Sequence, residues 1–475
     1  MKKIVIAAGM LLSSLMSYAQ FSTATDIDDL ALIYIGSQHR PDWNKDLFAP
    51  YVYHTYPDGT KSWMFDGFLM IEFVAYNELG QQVSFGESAA SVFGAKRKDW
   101  ERLLHEQLGT YSGNGCRALD NLIDEMIPEL GAPGHKHKVV FTLPVAETKS
   151  DIWGEIDGVK LDFTQSADRI KGMKWYADLL FSEWDKAGFK HLDLDGVYWT
   201  NETFSGRDEQ MTIEINKYYK DKNCRIYWIP YLLRDNNSDI LPSQSADAWQ
   251  EMGVDVAYIQ PGYYFQSNRP KKYLQQAIDY AWDHDGMGME VEFEGYNFGW
   301  TYDPATQSGN RYRITPQNSV LYENSPVYHQ RLIDYIDAFE ENGVFGFMPV
   351  AYYSGFEAVY DLEHSGHPKD MELLNRLATI LNKRHVESAW DKEPSAGIDD
   401  VKLADRVLAY GLDGAIYIAD EGVTGVAVYS VDGKLVYAAG AMQRTADLEY
   451  GITVPCDPGI YVVCVGSRSV KVAVK

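Results

Sequence analysis

The chain has 475 residues, 45% of them hydrophobic and 13% aromatic, with a formal net charge of −25. An acidic surplus of that size repels phosphate, and no basic stripe offsets it, so nucleic acid is excluded as a natural partner. Four cysteines are too few for a disulfide scaffold, which leaves the fold to rest on its apolar core.

The chain opens with Lys2 and Lys3, an apolar run from Ile4 to Leu12, and the small-x-small triplet Ser17-Tyr18-Ala19. This pattern predicts a signal peptide over residues 1–19, cleaved after Ala19, and hence a secreted, periplasmic or cell-surface protein. Its removal takes two lysines and no acid, so the mature charge becomes −27. No cysteine follows the cut to carry a lipid anchor, and no later run reaches the roughly 18 apolar residues of a spanning helix. No integral membrane segment is expected.

Between residues 26 and 385 eight β-rich apolar runs follow one another: Ala31–Gly36, Phe65–Phe73, Lys138–Pro144, Leu194–Thr200, Cys224–Tyr231, Asp255–Gln260, Met287–Glu294 and Val344–Ala351. Helical periodicity, with apolar residues three and four apart, appears at Ala95–Leu108, Ser166–Ala187, Asp208–Asp221, Lys271–His284, Tyr328–Asn342 and Lys369–Asn382. Eight β/α units in about 350 residues predict a (β/α)₈ TIM barrel with enlarged loops. Residues 386–400 are polar and lack periodicity, as a linker would. From 401 to 475 short alternating runs separated by Asp432-Gly433 and Asp457-Pro458-Gly459 predict a small all-β sandwich. Cys456 and Cys464, eight apart within it, leave a disulfide open.

Chemistry in such a barrel is sought where the strands end, at the C-terminal mouth. The fourth run stops at Asn201-Glu202. Glycosidic cleavage needs one carboxylic acid to protonate the leaving oxygen and one carboxylate to attack the anomeric carbon or activate water, so Glu202 is the candidate acid. Asn201 is placed to hold a sugar hydroxyl. The seventh run sets Glu290, Glu292 and Glu294 at every second residue, hence on one side of the strand, with Met289, Val291 and Phe293 on the other. Inward carboxylates are costly unless used, and their repulsion spreads their pKa values, as acid/base work requires. The structural alternative is a salt-bridged set paired with Arg225 or Lys271.

Aromatic residues near strand ends, Trp43, Trp153, Trp199, Trp228, Tyr263, Tyr264, Trp300, Tyr302, Tyr352 and Tyr353, offer the apolar faces on which sugar rings stack. Trp199, Trp228, Tyr263 and Trp300 are the leading platforms, and Glu72, Gln260, Glu290 and His39 the expected hydroxyl partners. Asp66 and Asp195 precede glycines at strand starts and are expected to cap the far end of the barrel. No cofactor or metal is expected. His135-Lys136-His137 precedes strand three and so falls at the opposite face, and no His-Glu-x-x-His, phosphate-loop or Gly-x-Ser-x-Gly pattern occurs. The oligomeric state is not predicted.

An Asn-Glu after strand four with a glutamate on strand seven resembles the clan of retaining glycoside hydrolases built on this barrel. That resemblance implies Glu202 as general acid/base and Glu292 or Glu294 as nucleophile, with Glu292 preferred. Leu32–Gly36, Trp63–Leu69, Leu194–Trp199 and Met289–Phe293 also resemble the bacterial domain-of-unknown-function 4855 family over about 350 residues. The Gly459–Val463 run and the Val470–Lys475 ending resemble β-domains of exported Bacteroidetes proteins. The expected function is hydrolysis of an extracellular polysaccharide or glycan, and the alternative is a non-catalytic glycan-binding protein on a degenerate barrel.

Overall fold

In the computed structural model the described residues are 25–86, 93–145, 152–202, 209–234, 240–242, 249–266, 268–284, 287–303, 305, 308–314, 318–387, 408–412, 415–419, 426–430, 434–439, 452–465 and 468–474. The first nineteen residues, over which a signal peptide is predicted, lie outside this set, as does the segment from 388 to 407. The chain divides into two compact units, the larger running from Phe21 to Asp391 and the smaller including Lys392 to Lys475.

Eight parallel strands close the larger unit into a barrel in chain order. They are β1 (Asp29–Tyr34), β2 (Gly67–Ile71), β3 (His137–Leu143), β4 (Leu192–Trp199), β5 (Arg225–Trp228), β6 (Val256–Ile259), β7 (Gly288–Glu292) and β8 (Val350–Tyr353). Asp29 pairs with Val350 of β8 and Leu30 with Gly67 of β2, which completes the closure. The predicted TIM barrel is thus present. Around it lie α1 (Lys45–Val52), α2 (Arg97–Leu108), α3 (Gly115–Leu130), α4 (Ser166–Ala187), α5 (Glu209–Lys220), α6 (Lys272–Asp283), α7 (Pro326–Glu341), α8 (Val344–Phe347), α9 (Ala358–His364) and α10 (Pro368–Glu387).

The eighth predicted run divides in two. Gly343, at φ +71°, ends α7 in a left-handed turn, Val344–Phe347 coil into α8, and Met348 is extended before Pro349, as a residue preceding proline must be. The strand therefore begins at Val350. Helices α1 and α3, which contain Pro50 and Pro128, were not among the predicted helical spans. Asn44 starts α1 by accepting the Leu47 N–H at 3.0 Å.

Alternation along each strand builds two apolar layers. Leu30, Leu32, Leu69, Ile71, Val140, Tyr198, Tyr227, Val256, Tyr258 and Ala351 fill the barrel interior. Val139, Phe141, Val197, Trp199, Trp228, Ala257, Met289, Val291 and Tyr352 pack outward among the helices. Glycines admit the interior tyrosines: a Cβ at Gly196 would lie 2.6 Å from the Tyr227 ring, and one at Gly288 2.7 Å from the Tyr258 ring.

The N-terminal end of the barrel is pinned by buried charge. Asp66 accepts the backbone N–H groups of Asp28 and Asp29, each at 2.8 Å, and Asp195 is held by Arg225 and the Tyr227 hydroxyl. These are the capping roles expected of both aspartates. Arg384 of α10 donates to Asp29 at 2.9 Å and to the carbonyls of Asp28, at 2.7 Å, and Met348, at 3.2 Å. Arg384→Met leaves the buried Asp29 carboxylate without its main cation, so we expect a loss of about 3–5 kcal/mol in urea unfolding. A loss under about 1 kcal/mol would show that His385, 3.4 Å from Asp29, suffices.

In the smaller unit, strands 408–412, 415–419 and 452–455 form one antiparallel sheet and strands 426–430, 435–439, 459–465 and 468–474 another. Ile416, Ile418, Val428, Val454, Val463 and Val472 make its core. Cys456 and Cys464 are free thiols.

Candidate active site

Strand β4 leaves the barrel with Tyr198 inside and Trp199 outside, and the chain then turns through Thr200 and Asn201 to Glu202. The turn is held from both layers. Trp228, fully buried in the helix layer, donates its indole N–H to the Asn201 carbonyl at 2.7 Å, while a Cβ at Gly86 would lie 2.8 Å from the Asn201 side-chain oxygen. Gln260, at the end of β6, donates its amide to Glu202 at 3.0 Å and to the Ile229 carbonyl at 2.8 Å. Glu202 is thereby fixed over the mouth and remains partly exposed.

On β7, Glu290 pairs in register with Ala351 and Glu292 with Tyr353, both partners belonging to the interior layer. The two carboxylates therefore face the barrel interior, as the period of two demands. Glu290 and Glu292 are each 3% exposed and Glu294 8%, so none can be dismissed as a solvated side chain. The salt-bridge alternative fails: Arg225 pairs with Asp195 and Asp26, and Lys271 with Asp334 at 3.4 Å. Instead Tyr335 of α7 donates its hydroxyl to Glu292. Glu294 accepts from Asn318 at 3.0 Å and from the Tyr353 hydroxyl at 3.2 Å. Gly355, at φ +56°, makes room for it, since a Cβ there would lie 2.9 Å from the Glu294 Cγ.

Burial dominates the electrostatics. It raises Glu202 above the usual carboxylate range, against the Gln260 hydrogen bond, which favours the charged form. Glu290 is pushed much higher by burial and by repulsion from Glu292 and Glu202. Burial brings Glu292 up to about 7, opposed by the Tyr335 hydroxyl, the backbone N–H groups of Tyr264 and Tyr263, and the Arg269 charge. The site therefore holds a neutral acid, Glu290, beside a carboxyl group, Glu292, whose ionised form is supported by donors.

Glu290 stores a cost that pH reveals. Its folded-state pKa lies above the unfolded value of about 4.3, so the stability of the neutral buried acid is complete below that pH and is lost as pH rises toward the folded pKa. Glu290→Gln should accordingly raise the melting temperature at pH 8 by several degrees and leave it unchanged at pH 4. A lower melting temperature at pH 8 would contradict the assignment.

The aromatic lining differs from the sequence expectation. Trp199 and Trp228 are 1% and 0% exposed and sit between barrel and helices, because their strand positions alternate outward; they cannot serve as substrate platforms. Trp43, Trp153, Tyr264 and Tyr352 are core residues of the same layer. Tyr263 is 5% exposed, donates to Asp334 at 2.8 Å and meets the Tyr335 ring edge-on at 5.8 Å. Trp300 lies on a β-ribbon formed by Asn297–Asp303 and Ser308–Ile314, but its side chain and that of Tyr302 fall outside the described residues.

The rings gathered near the C-terminal strand ends are Tyr34, Phe73, Tyr198, Phe265 and Tyr353, of which Phe73, Phe265 and Tyr353 are partly exposed. Tyr34 contacts Tyr353 at 5.6 Å and Phe73 at 6.3 Å, Phe73 reaches Tyr198 at 6.5 Å, and Phe265 meets Tyr353 at 5.6 Å. Glu72 is not a hydroxyl partner: it is fully buried and grips Arg40 with both oxygens at 2.7 and 2.8 Å. The Arg40 guanidinium lies 4.5 Å from the Tyr34 ring centre and 4.8 Å from that of Phe356. Gln260 serves Glu202, and His39 is hydrogen-bonded to Ser37 at 2.7 Å. His137 is buried against Trp63 and Phe68, where desolvation lowers it to about 3.

Fold and site together define a (β/α)₈-barrel protein with an acidic, aromatic-lined mouth at the C-terminal ends of its strands. The chain belongs to the family described as Domain of unknown function (DUF4855), whose model matches residues 29–308. Comparison with curated proteins finds no match. Among solved structures it is similar to a chitinase from Chromobacterium violaceum, at 10% identity and a TM-score of 0.31 over 73% of this chain and 98% of that one. It is similar to the Group IV chitinase of Ostrinia furnacalis at 9% identity and a TM-score of 0.34, over 74% and 99%. A GH113 β-1,4-mannanase matches at 10% identity and 0.32, over 76% and 98%.

Proposed function

We propose that the protein is a secreted glycoside hydrolase that cleaves an extracellular polysaccharide or glycan with Glu202 as general acid/base and Glu292 as nucleophile. The observation that carries the reading is geometric: Glu290 and Glu292 face inward on β7, and Glu202 is held by Gln260 at the end of the neighbouring strand β6. Two carboxyl groups facing one barrel mouth are what glycosidic cleavage requires. Glu202, raised by burial, supplies the proton to the leaving oxygen. Glu292, supported in its charged form, attacks the anomeric carbon, and Glu202 as base then activates the water that releases the sugar. Glu294 is the second choice of nucleophile, and the partly exposed Phe73, Phe265 and Tyr353 are the rings on which a sugar face stacks. Export by a signal peptide cleaved after Ala19 belongs to the same proposal.

Proton NMR of the first product formed tests the mechanism: retention of anomeric configuration is expected, and inversion would replace the covalent intermediate by direct attack of water. Binding of glycans without any release of reducing ends would favour a glycan-binding protein on the same barrel.

A further inference from the structure

Helix α7 belongs to the outer layer, yet one of its side chains reaches Glu292 at the end of β7. Tyr335 is fully buried, with its ring edge-on to Tyr263 at 5.8 Å and to Phe339 at 5.8 Å, so its position is set by packing rather than by solvent. Its hydroxyl donates to one oxygen of Glu292. Around the same carboxyl group stand Glu290 from its own strand, Arg269 and the N–H groups of Tyr263 and Tyr264 from the segment after β6, and Tyr353 in register on β8. Among these, Tyr335 and the two backbone N–H groups are directed donors that favour the charge on Glu292, and the Arg269 charge favours it too.

We propose that Tyr335 is a positioning residue for Glu292, its hydroxyl holding one carboxylate oxygen and stabilising the charged form so that the other oxygen is left for the anomeric carbon. The role rests on the hydrolase reading for its purpose, but it is measurable without a substrate. A buried hydroxyl that donates to a carboxylate strengthens as charge develops there, and its removal returns the group toward the neutral acid. Tyr335→Phe deletes one oxygen and keeps the ring, so the packing of α7 survives.

The test is a carbon-13 NMR titration of protein labelled at the glutamate side-chain carboxyl, with Glu292→Gln to assign the signal. In Tyr335→Phe the Glu292 midpoint should move up by about one to two pH units. In Tyr263→Phe it should stay, because that hydroxyl serves Asp334. On a glycan that the protein cleaves, the acid limb of kcat/KM should move by the same amount while the rate at high pH is retained. If Tyr335→Phe does not fold, replacement of tyrosine by the more acidic 3-fluorotyrosine should lower the midpoint instead. An unmoved midpoint in either material overturns the role of Tyr335, even in an active enzyme. A moved midpoint in a protein that cleaves no glycan supports the Tyr335–Glu292 coupling and overturns the hydrolase reading.

Discussion

Glu202→Gln should lower turnover of unactivated glycans by about two to four orders of magnitude, the usual share of a positioned general acid. The isosteric amide retains the Gln260 contact but has no proton to give. Glycosides with acidic phenol leaving groups, which depart without protonation, should lose far less in the bond-breaking step. The alkaline limb of the pH–rate profile, which reports deprotonation of Glu202, should vanish with it. In Gln260→Ala the lost donor had favoured the carboxylate, so Glu202 rises and the alkaline limb moves to higher pH. Equal losses on activated and unactivated substrates would assign Glu202 to binding.

Glu292→Ala is expected to remove turnover altogether, since no covalent intermediate can form without it. Added azide should then restore cleavage and give product of inverted configuration, because a small anion fits the space the carboxylate vacated. The wild-type acid limb should lie near pH 7, where Glu292 gains its proton and ceases to attack. Near-normal rates in Glu292→Ala would transfer the role to Glu294, whose carboxylate is held by Asn318 and Tyr353, and then to Glu290. Silence of all three substitutions on a cleaved glycan would refute the two-carboxylate mechanism.

The barrel and its acidic strands were legible in the sequence because they follow from period. Ser166–Ala187 is a helix over the predicted span, and the alternation through Met289, Glu290, Val291 and Glu292 faces inward and outward as read. The aromatic lining was misread because nearness to a strand end does not decide which layer a ring enters. Counting back by two from Glu202 marks Tyr198 as inward and Trp199 as outward, and the same parity on β8 separates Tyr353 from Tyr352. Tyr34 could have been found in this way. Tyr335, Phe265 and Arg40 could not, because their places depend on where α7 and the loops after β6 and β1 settle, which no local pattern encodes. Glu72 carried no signal that its charge would be spent on Arg40, 32 residues earlier in the chain.

The most direct test of the central claim is release of reducing ends from a broad glycan panel, measured side by side for the wild-type protein and Glu202→Gln. The account predicts release by the wild type from at least one glycan and a loss of about a hundredfold or more in the variant. Release from no glycan, or equal release by the two proteins, would contradict it.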